Sequence, residues 1–500
     1  MIKNEREAMP LSLVEEALRR GREALGKSEF EAARLSFGEA CILLQNLPQH
    51  NKAIWGHLLG EALAEQAFCL FVLERPQEAN ESYVSCLDLL GELCELSLQH
   101  LPQYIKILQA YGGFLKSSGT EGDSFKTNGL NALALCKRAH VSRTFLPLES
   151  ALYFNRLGNS FYDAEMRTEE LEAYNLAVES LELSGVRALN ENISAIYSNR
   201  GETLLALNRL AESERDYNKS FAMLYRLFKT KKLEEPLAFF GVGYNYFSIR
   251  IALEKDLNSL LREINSLIKI LQAPKYNKEP YLEFLFKLSV LRCYTGNTLG
   301  KPKKELRFCN KLIELCQSRL SGNKEQLLMA YELRARAYVR QGKHYKAALD
   351  FKSTAQYSMD AEIPSPYKDK RTFNLLFHSA NSFDESGDYS SAKEQFSCII
   401  NRTEAIENHR EDEDFAEGLS LAYFRRGVDW TRIEEHNYAK AAEDHRKSLS
   451  ILEGRPDTPE KWGKLSEVYS SYAQIFEVFG ELELAKEYFE KAKSSEGKVK

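Results

Sequence analysis

The stretch VYSSYAQIFEVFGELELAKEYFEKA, residues 468–492, decides the fold. Its aromatic and small residues Ala473, Phe476, Gly480, Ala485, Phe489 and Ala492 lie 4, 7, 11, 16, 20 and 23 positions after Tyr469. Both halves read as amphipathic helices, and Gly480 marks a short turn between them. Small residues let two helix backbones approach closely, and the aromatics fill the space beside them.

The same pattern runs upstream. Tyr423, Gly427, Trp430, Tyr438 and Ala441 repeat it, as do Ala380, Phe383, Gly387, Tyr389, Ala392 and Phe396, and Tyr331, Ala335, Tyr338, Gly342, Ala347 and Phe351. Near the front stand Gly21, Ala24, Phe30, Ala33, Phe37 and Ala40, then Ala67, Leu70, Ala79, Tyr83 and Cys86. Phe154, Gly158, Phe161, Tyr174 and Ala177 follow, then Tyr197, Gly201, Leu204, Ser213, Tyr217 and Ser220. The close-approach residues of the first helices are placed at Gly21, Ala67, Gly113, Gly158, Gly201, Gly243, Ser289, Ala335, Ala380, Gly427 and Ala473. The period is close to 45 residues; the third, sixth and seventh units are degenerate, and the period guides their registers. Connections are expected at 118–129, 273–280, 362–370 and 453–462.

This pattern resembles the tetratricopeptide repeat (TPR), a pair of antiparallel helices with an aromatic, Leu-Gly and Tyr on the first helix and Ala, aromatic and Ala on the second. The usual TPR period is about 34, so this is a long-period variant, similar to the arrays of kinesin light chains and of some bacterial regulators and peptide sensors. The resemblance implies an all-α fold, a right-handed superhelix of about eleven helical hairpins. One continuous solenoid over 1–500 is expected. A subdivision into 1–228 and 229–500 is the alternative, with degenerate units around 100–145 and 230–320.

Composition agrees with a packed helical protein. The chain has 500 residues, 44% hydrophobic and 28% charged, with 13 prolines and 27 glycines. A net charge of -5 argues against a nucleic-acid binder. MIKNEREAMP has no apolar run behind it, so no secretory signal is expected. The longest uncharged apolar stretch, 236–249, is too short for a membrane span, which takes about 20 residues. The nine scattered cysteines predict reduced, mostly buried thiols in a cytoplasmic protein.

No phosphate-binding loop, dinucleotide fingerprint, nucleophile elbow or zinc-protease motif occurs. His436 and His445 do not share a helical face as ligands and read as structural or surface residues. The acidic run 411–414 lacks the alternation of a calcium loop and reads as a solvated connection. Lys301, Lys303, Lys304 and Arg307 read as a solvated turn. No metal, cofactor or catalytic residue is predicted.

Ligands of proteins with this repeat lie along the first helices, at positions three before, two before, one after and four after the close-approach residue. Transferred here, these offsets select Asn155, Arg156, Asn159 and Tyr162 in the fourth unit, and Asn199 and Glu202 in the fifth. An asparagine amide offers both a donor and an acceptor, so it can clamp a peptide backbone. Asn159 and Asn199 match the two asparagines of the family's carboxylate clamp. Asn155 stands where that clamp has a lysine, and the next first helix is apolar, which argues against chaperone-tail binding. A second zone holds Arg336, Arg340, His378, Asn381, Arg425 and Arg432, whose guanidinium groups suit acidic partners. The expected function is a non-catalytic scaffold or adaptor for a protein or peptide. The alternative is a peptide- or ligand-sensing regulator whose superhelix changes pitch on binding.

Overall fold

The computed structural model describes residues 2–47, 52–119, 122–186, 190–233, 236–300, 302–319, 324–360, 367–406, 412–433 and 436–499, without the side chains of 2–11, 52–54, 302–303, 360 and 367–369. Among them are helices and turns and no strand. The chain divides into two compact units, Met1–Leu253 and Glu254–Lys500.

The first unit is built of α1 (Ile2–Gly26), α2 (Phe30–Gln45), α3 (Lys52–Val72), α4 (Pro76–Leu96), α5 (Leu101–Ser118), α6 (Asp123–Ser142), α7 (Pro147–Asp163), α8 (Arg167–Ser184), α9 (Glu191–Ala206), α10 (Leu210–Lys229) and α11 (Leu237–Ala252). The second holds α12 (Leu257–Leu271), α13 (Tyr281–Thr298), α14 (Pro302–Arg319), α15 (Lys324–Val339), α16 (His344–Asp360), α17 (Tyr367–Glu385), α18 (Tyr389–Glu404), α19 (Glu413–Arg432), α20 (Tyr438–Glu453), α21 (Pro459–Phe479) and α22 (Leu482–Gly497). Within each unit, successive helices pack as hairpins and each hairpin packs on the next. In the first unit one apolar core runs from Val14 to Tyr197.

Local chemistry fixes the helix ends. Asn190, Asp388, Asn437 and Thr458 each cap a helix by accepting from a backbone N–H of its first turn. Most of the described hairpin turns contain a left-handed residue, and Gly387 (φ 82°) and Gly480 (φ 79°) occupy it without a Cβ penalty. Ser28, Glu74, Glu165 and Asn208 take the same conformation at the same place.

That left-handed residue fixes the register. It lies seven positions after Gly21, Ala67, Gly158, Gly201, Ala335, Ala380 and Ala473, as the sequence places them. In the third and seventh units the left-handed residues are Gly119 and Gly300. The close-approach positions there are therefore Gly112 and Cys293, and not Gly113 and Ser289; α11 and α12 fall in two different units. A Cβ on Gly113 would meet open space, whereas one on Gly112 would lie 3.1 Å from the Phe125 ring.

Several expected connections are shorter than the sequence suggests. Residues 123–129 belong to α6, because Phe125, Asn128 and Gly129 bury one helical face. Between α12 and α13, Pro274–Tyr276 forms a 3-10 turn whose Tyr276 is buried against Tyr281. Residues 362–366 of the third expected connection lie outside the described residues, and α17 begins at Tyr367. Only 454–458 separate α20 from α21. Of the acidic run, Glu411 lies outside the described residues. Asp412 is no free loop residue but the N-cap of α19, accepting from the backbone N–H groups of Asp414 and Phe415. Of the basic cluster, Lys301 and the Lys303 side chain lie outside the description. Lys304 and Arg307 are exposed on α14 and not on a turn.

Candidate functional site

The first helix of each hairpin meets the second at its close-approach residue. A Cβ on Gly158 would collide with the Tyr174 ring, one on Gly21 would lie 2.7 Å from the Phe37 ring, and one on Gly201 would lie 3.1 Å from the Tyr217 ring. On Gly427 it would collide with the His445 imidazole, which replaces the aromatic ring there. Ala67, Ala335, Ala380 and Ala473 are fully buried at the equivalent places. The repeat is tetratricopeptide-like.

A polar feature of this TPR-like repeat escaped the sequence reading. The residue before the close-approach position is Arg200, Arg334 or Arg426. Each forks onto an aspartate one residue before the facing ring: Arg200 on Asp216 at 2.7 and 2.9 Å, Arg334 on Asp350 at 2.7 and 2.7 Å, Arg426 on Asp444 at 2.8 and 2.7 Å. The remaining Nη1 of each donates to the preceding second helix, at Asn175, Asn310 and Ser397. These bidentate, largely desolvated pairs tie three helices together. Arg292 holds the same position before Cys293, but Phe308 stands where the aspartate belongs, so Arg292 pairs with the buried Glu305 instead.

The outer positions of the first helices are the candidate interface. In the first unit Asn199 Nδ2 donates to Asn155 Oδ1 at 3.1 Å and to Asn159 Oδ1 at 3.0 Å, and the Tyr174 hydroxyl donates to Asn159 Oδ1 at 2.8 Å. The three asparagines thus form one half-buried network across α7 and α9. The Asn155 and Asn159 amino groups and the Asn199 carbonyl oxygen have no partner among the described residues. Tyr162 donates to Glu202 at 3.3 Å and stacks under Arg167 at 4.8 Å. Arg156 is exposed beside them. On α11, the next first helix, Tyr244, Asn245 and Ser248 are half-buried, and Asn245 donates to the Tyr217 hydroxyl at 3.0 Å.

In the second unit most of the expected arginines are already engaged. Arg336 pairs with Glu332 at 2.8 Å, Arg340 donates to the Asn297 carbonyl, and Arg432 pairs with Asp384 at 2.7 Å. Arg425 lies over Phe424 and has no ion pair among the described residues. His378 stacks on Phe351 with centroids 5.2 Å apart. Partial burial and the nearby Arg336 hold its imidazole below the usual histidine range.

His378 and Asn381 line a cleft of about 470 Å³ between α17 and α19, with Lys370, Phe373, Asn374, Phe377, Glu417 and Leu421 among its walls. Its charges are satisfied internally: Lys370 pairs with Asp412 and Asp414, and Glu417 with Lys464. The side chains of Asn374 and Asn381 have no hydrogen-bond partner among the described residues. The cleft therefore offers aromatic surface and neutral amide groups.

Asp429 and His445 are buried polar groups that the sequence reading did not single out as perturbed. Burial pushes the Asp429 carboxyl up to about 8, with Asp384 adding to the shift and Arg432, Arg425 and Lys393 opposing it. Its Oδ2 has no hydrogen-bond partner. Burial pushes His445 down to about 4; its Nε2 lies 2.7 Å from Ser471 Oγ. His445 is a packing residue, and no group of three or more metal-ligating side chains occurs among the described residues. No described helix is long and apolar enough to cross a membrane.

No protein-family model matches the chain. No curated protein matches it either. Among solved structures, a tetratricopeptide repeat protein from Parabacteroides merdae is 14% identical with a TM-score of 0.36, over 69% of this chain and 99% of that one. The apo form of the quorum sensor NprR from B. thuringiensis is 13% identical with a TM-score of 0.40, over 74% and 97%. A signal transduction ATPase with a tetratricopeptide repeat sensor, from Pyrococcus horikoshii, is 13% identical with a TM-score of 0.42, over 89% and 72%. Likeness at this level carries no ligand or activity across to this chain.

Proposed function

We propose that this protein is a non-catalytic scaffold that holds an extended peptide segment of a protein partner against its first helices, in a reducing, cytoplasmic setting. The α17–α19 cleft carries this reading. Its charged side chains pair with one another, while Asn374 and Asn381 keep unpaired donors and acceptors beside Phe373 and Phe377. An extended peptide has what such a surface lacks: backbone N–H and C=O groups for the amides and an apolar side chain for the aromatic wall. The asparagine network of α7 and α9, with unpaired amide groups on Asn155, Asn159 and Asn199, supports the same mode in the first unit.

The test is selection of a random linear peptide display library on the full chain. Enriched peptides are expected to carry an apolar or aromatic anchor and to be weakened about tenfold by Asn381→Ala or Phe377→Ala, a loss of about 1.4 kcal/mol. Lys304→Ala, on the exposed face of α14, is the control. No enrichment, or enriched peptides indifferent to Asn381, Phe377, Asn159 and Asn199 alike, overturns the proposal.

A further inference from the structure

In the seventh hairpin the close-approach position is Cys293, and the residue facing it is Cys309. Their sulfurs lie 3.6 Å apart, both fully buried between α13 and α14. Other hairpins put a small residue against a ring at this point, as Gly158 against Tyr174 and Gly201 against Tyr217. Here two thiols share the place. The Arg292–Glu305 ion pair beside them holds the two helices together. All nine cysteines are free, and all but Cys398 are buried. A disulfide needs sulfurs about 2.05 Å apart, so closing this pair draws the two sulfurs together from 3.6 Å.

We propose that Cys293 and Cys309 are an oxidation site at which hydrogen peroxide, or another small hydroperoxide, converts the two thiols into an intra-hairpin disulfide. Cys293 gives up its proton and its sulfur attacks one peroxide oxygen. The S–O bond forms, the O–O bond breaks, and the departing hydroxide takes the proton to leave as water. Cys309 then gives up its proton and its sulfur attacks the Cys293 sulfenic sulfur. The S–S bond forms, the S–O bond breaks, and hydroxide leaves with that proton as a second water. Both sulfurs are oxidised and the peroxide is reduced. Burial makes the reaction depend on brief local opening, so it is slow and selects small oxidants over bulky disulfides. The product joins α13 to α14 covalently, and a thiol reductant reverses it.

The experiment treats the reduced full chain with hydrogen peroxide, quenches in acid, alkylates in denaturant and digests with trypsin. A linked pair is expected between the peptide beginning at Cys293 and Phe308–Lys311, in excess over any other cysteine pairing. Cys309→Ser and Cys293→Ser each abolish it while circular dichroism stays helical. The oxidised chain is expected to melt at a higher temperature, and dithiothreitol to restore the original value. Two results overturn the proposal. One is no such linkage while the half-buried Cys398 becomes oxidised. The other is an equal yield from the chain unfolded in urea, which would trace the linkage to nearness in sequence and not to native packing.

Discussion

At the residue scale, the second unit keeps a buried carboxyl where packing alone would favour an apolar side chain. Asp429 sits in α19 with its carboxyl pushed up to about 8 by burial and by Asp384. In the unfolded chain an aspartate ionises near 3.9. Between these values the folded state holds a proton that the unfolded state has lost, so this group's contribution to stability falls as pH rises. The expected loss is roughly 2–3 kcal/mol between about pH 6 and about pH 8. Asp429→Asn removes the titration, so hydrogen exchange from α19 should show a flatter dependence on pH in the variant. An unchanged dependence would mean that Asp429 is not the group responsible. The asparagines of α7 and α9 show a different economy. Each spends part of its amide on a neighbour and leaves the rest available, which pre-organises the face without saturating it.

At the element scale, the hairpin is held by a glycine-to-ring contact and an Arg–Asp fork placed side by side. The two serve different ends. The glycine sets how near the backbones come, and the fork sets their rotation, because a bidentate pair tolerates little twist. Gly427→Trp should force α19 away from His445 and cost roughly 1–3 kcal/mol or more, since overpacking a close approach displaces backbone. Thermal melting checks it, and an unaltered midpoint would be incompatible with the Gly427–His445 contact. The regular hairpins were legible in the sequence, because Gly158, Gly201 and Gly427 lie in the same helical period as their aromatic neighbours. The seventh was less so: Cys293 stands where the regular hairpins have Gly or Ala, and the left-handed Gly300 seven residues later sets its register.

At the scale of the whole molecule, hairpins within a unit lean on their neighbours, so damage should stay local. Gly158→Trp is expected to speed hydrogen exchange in α7–α10 while leaving α17–α22 at wild-type rates, as read by mass spectrometry. Uniform acceleration along the chain would count against nearest-neighbour packing. The helices, the period and most of the close-approach residues are written in the sequence alone. Those follow from spacings along a single chain, where an apolar or small residue every three or four positions has only one way to be buried. The three-dimensional packing set the rest: the register of two hairpins, the pairing of Arg336, Arg340 and Arg432, the asparagine network, and the meeting of Cys293 with Cys309. Each of these depends on side chains from different helices coming within a few ångströms. That distance is set by how neighbouring helices pack, and spacing in sequence does not encode it.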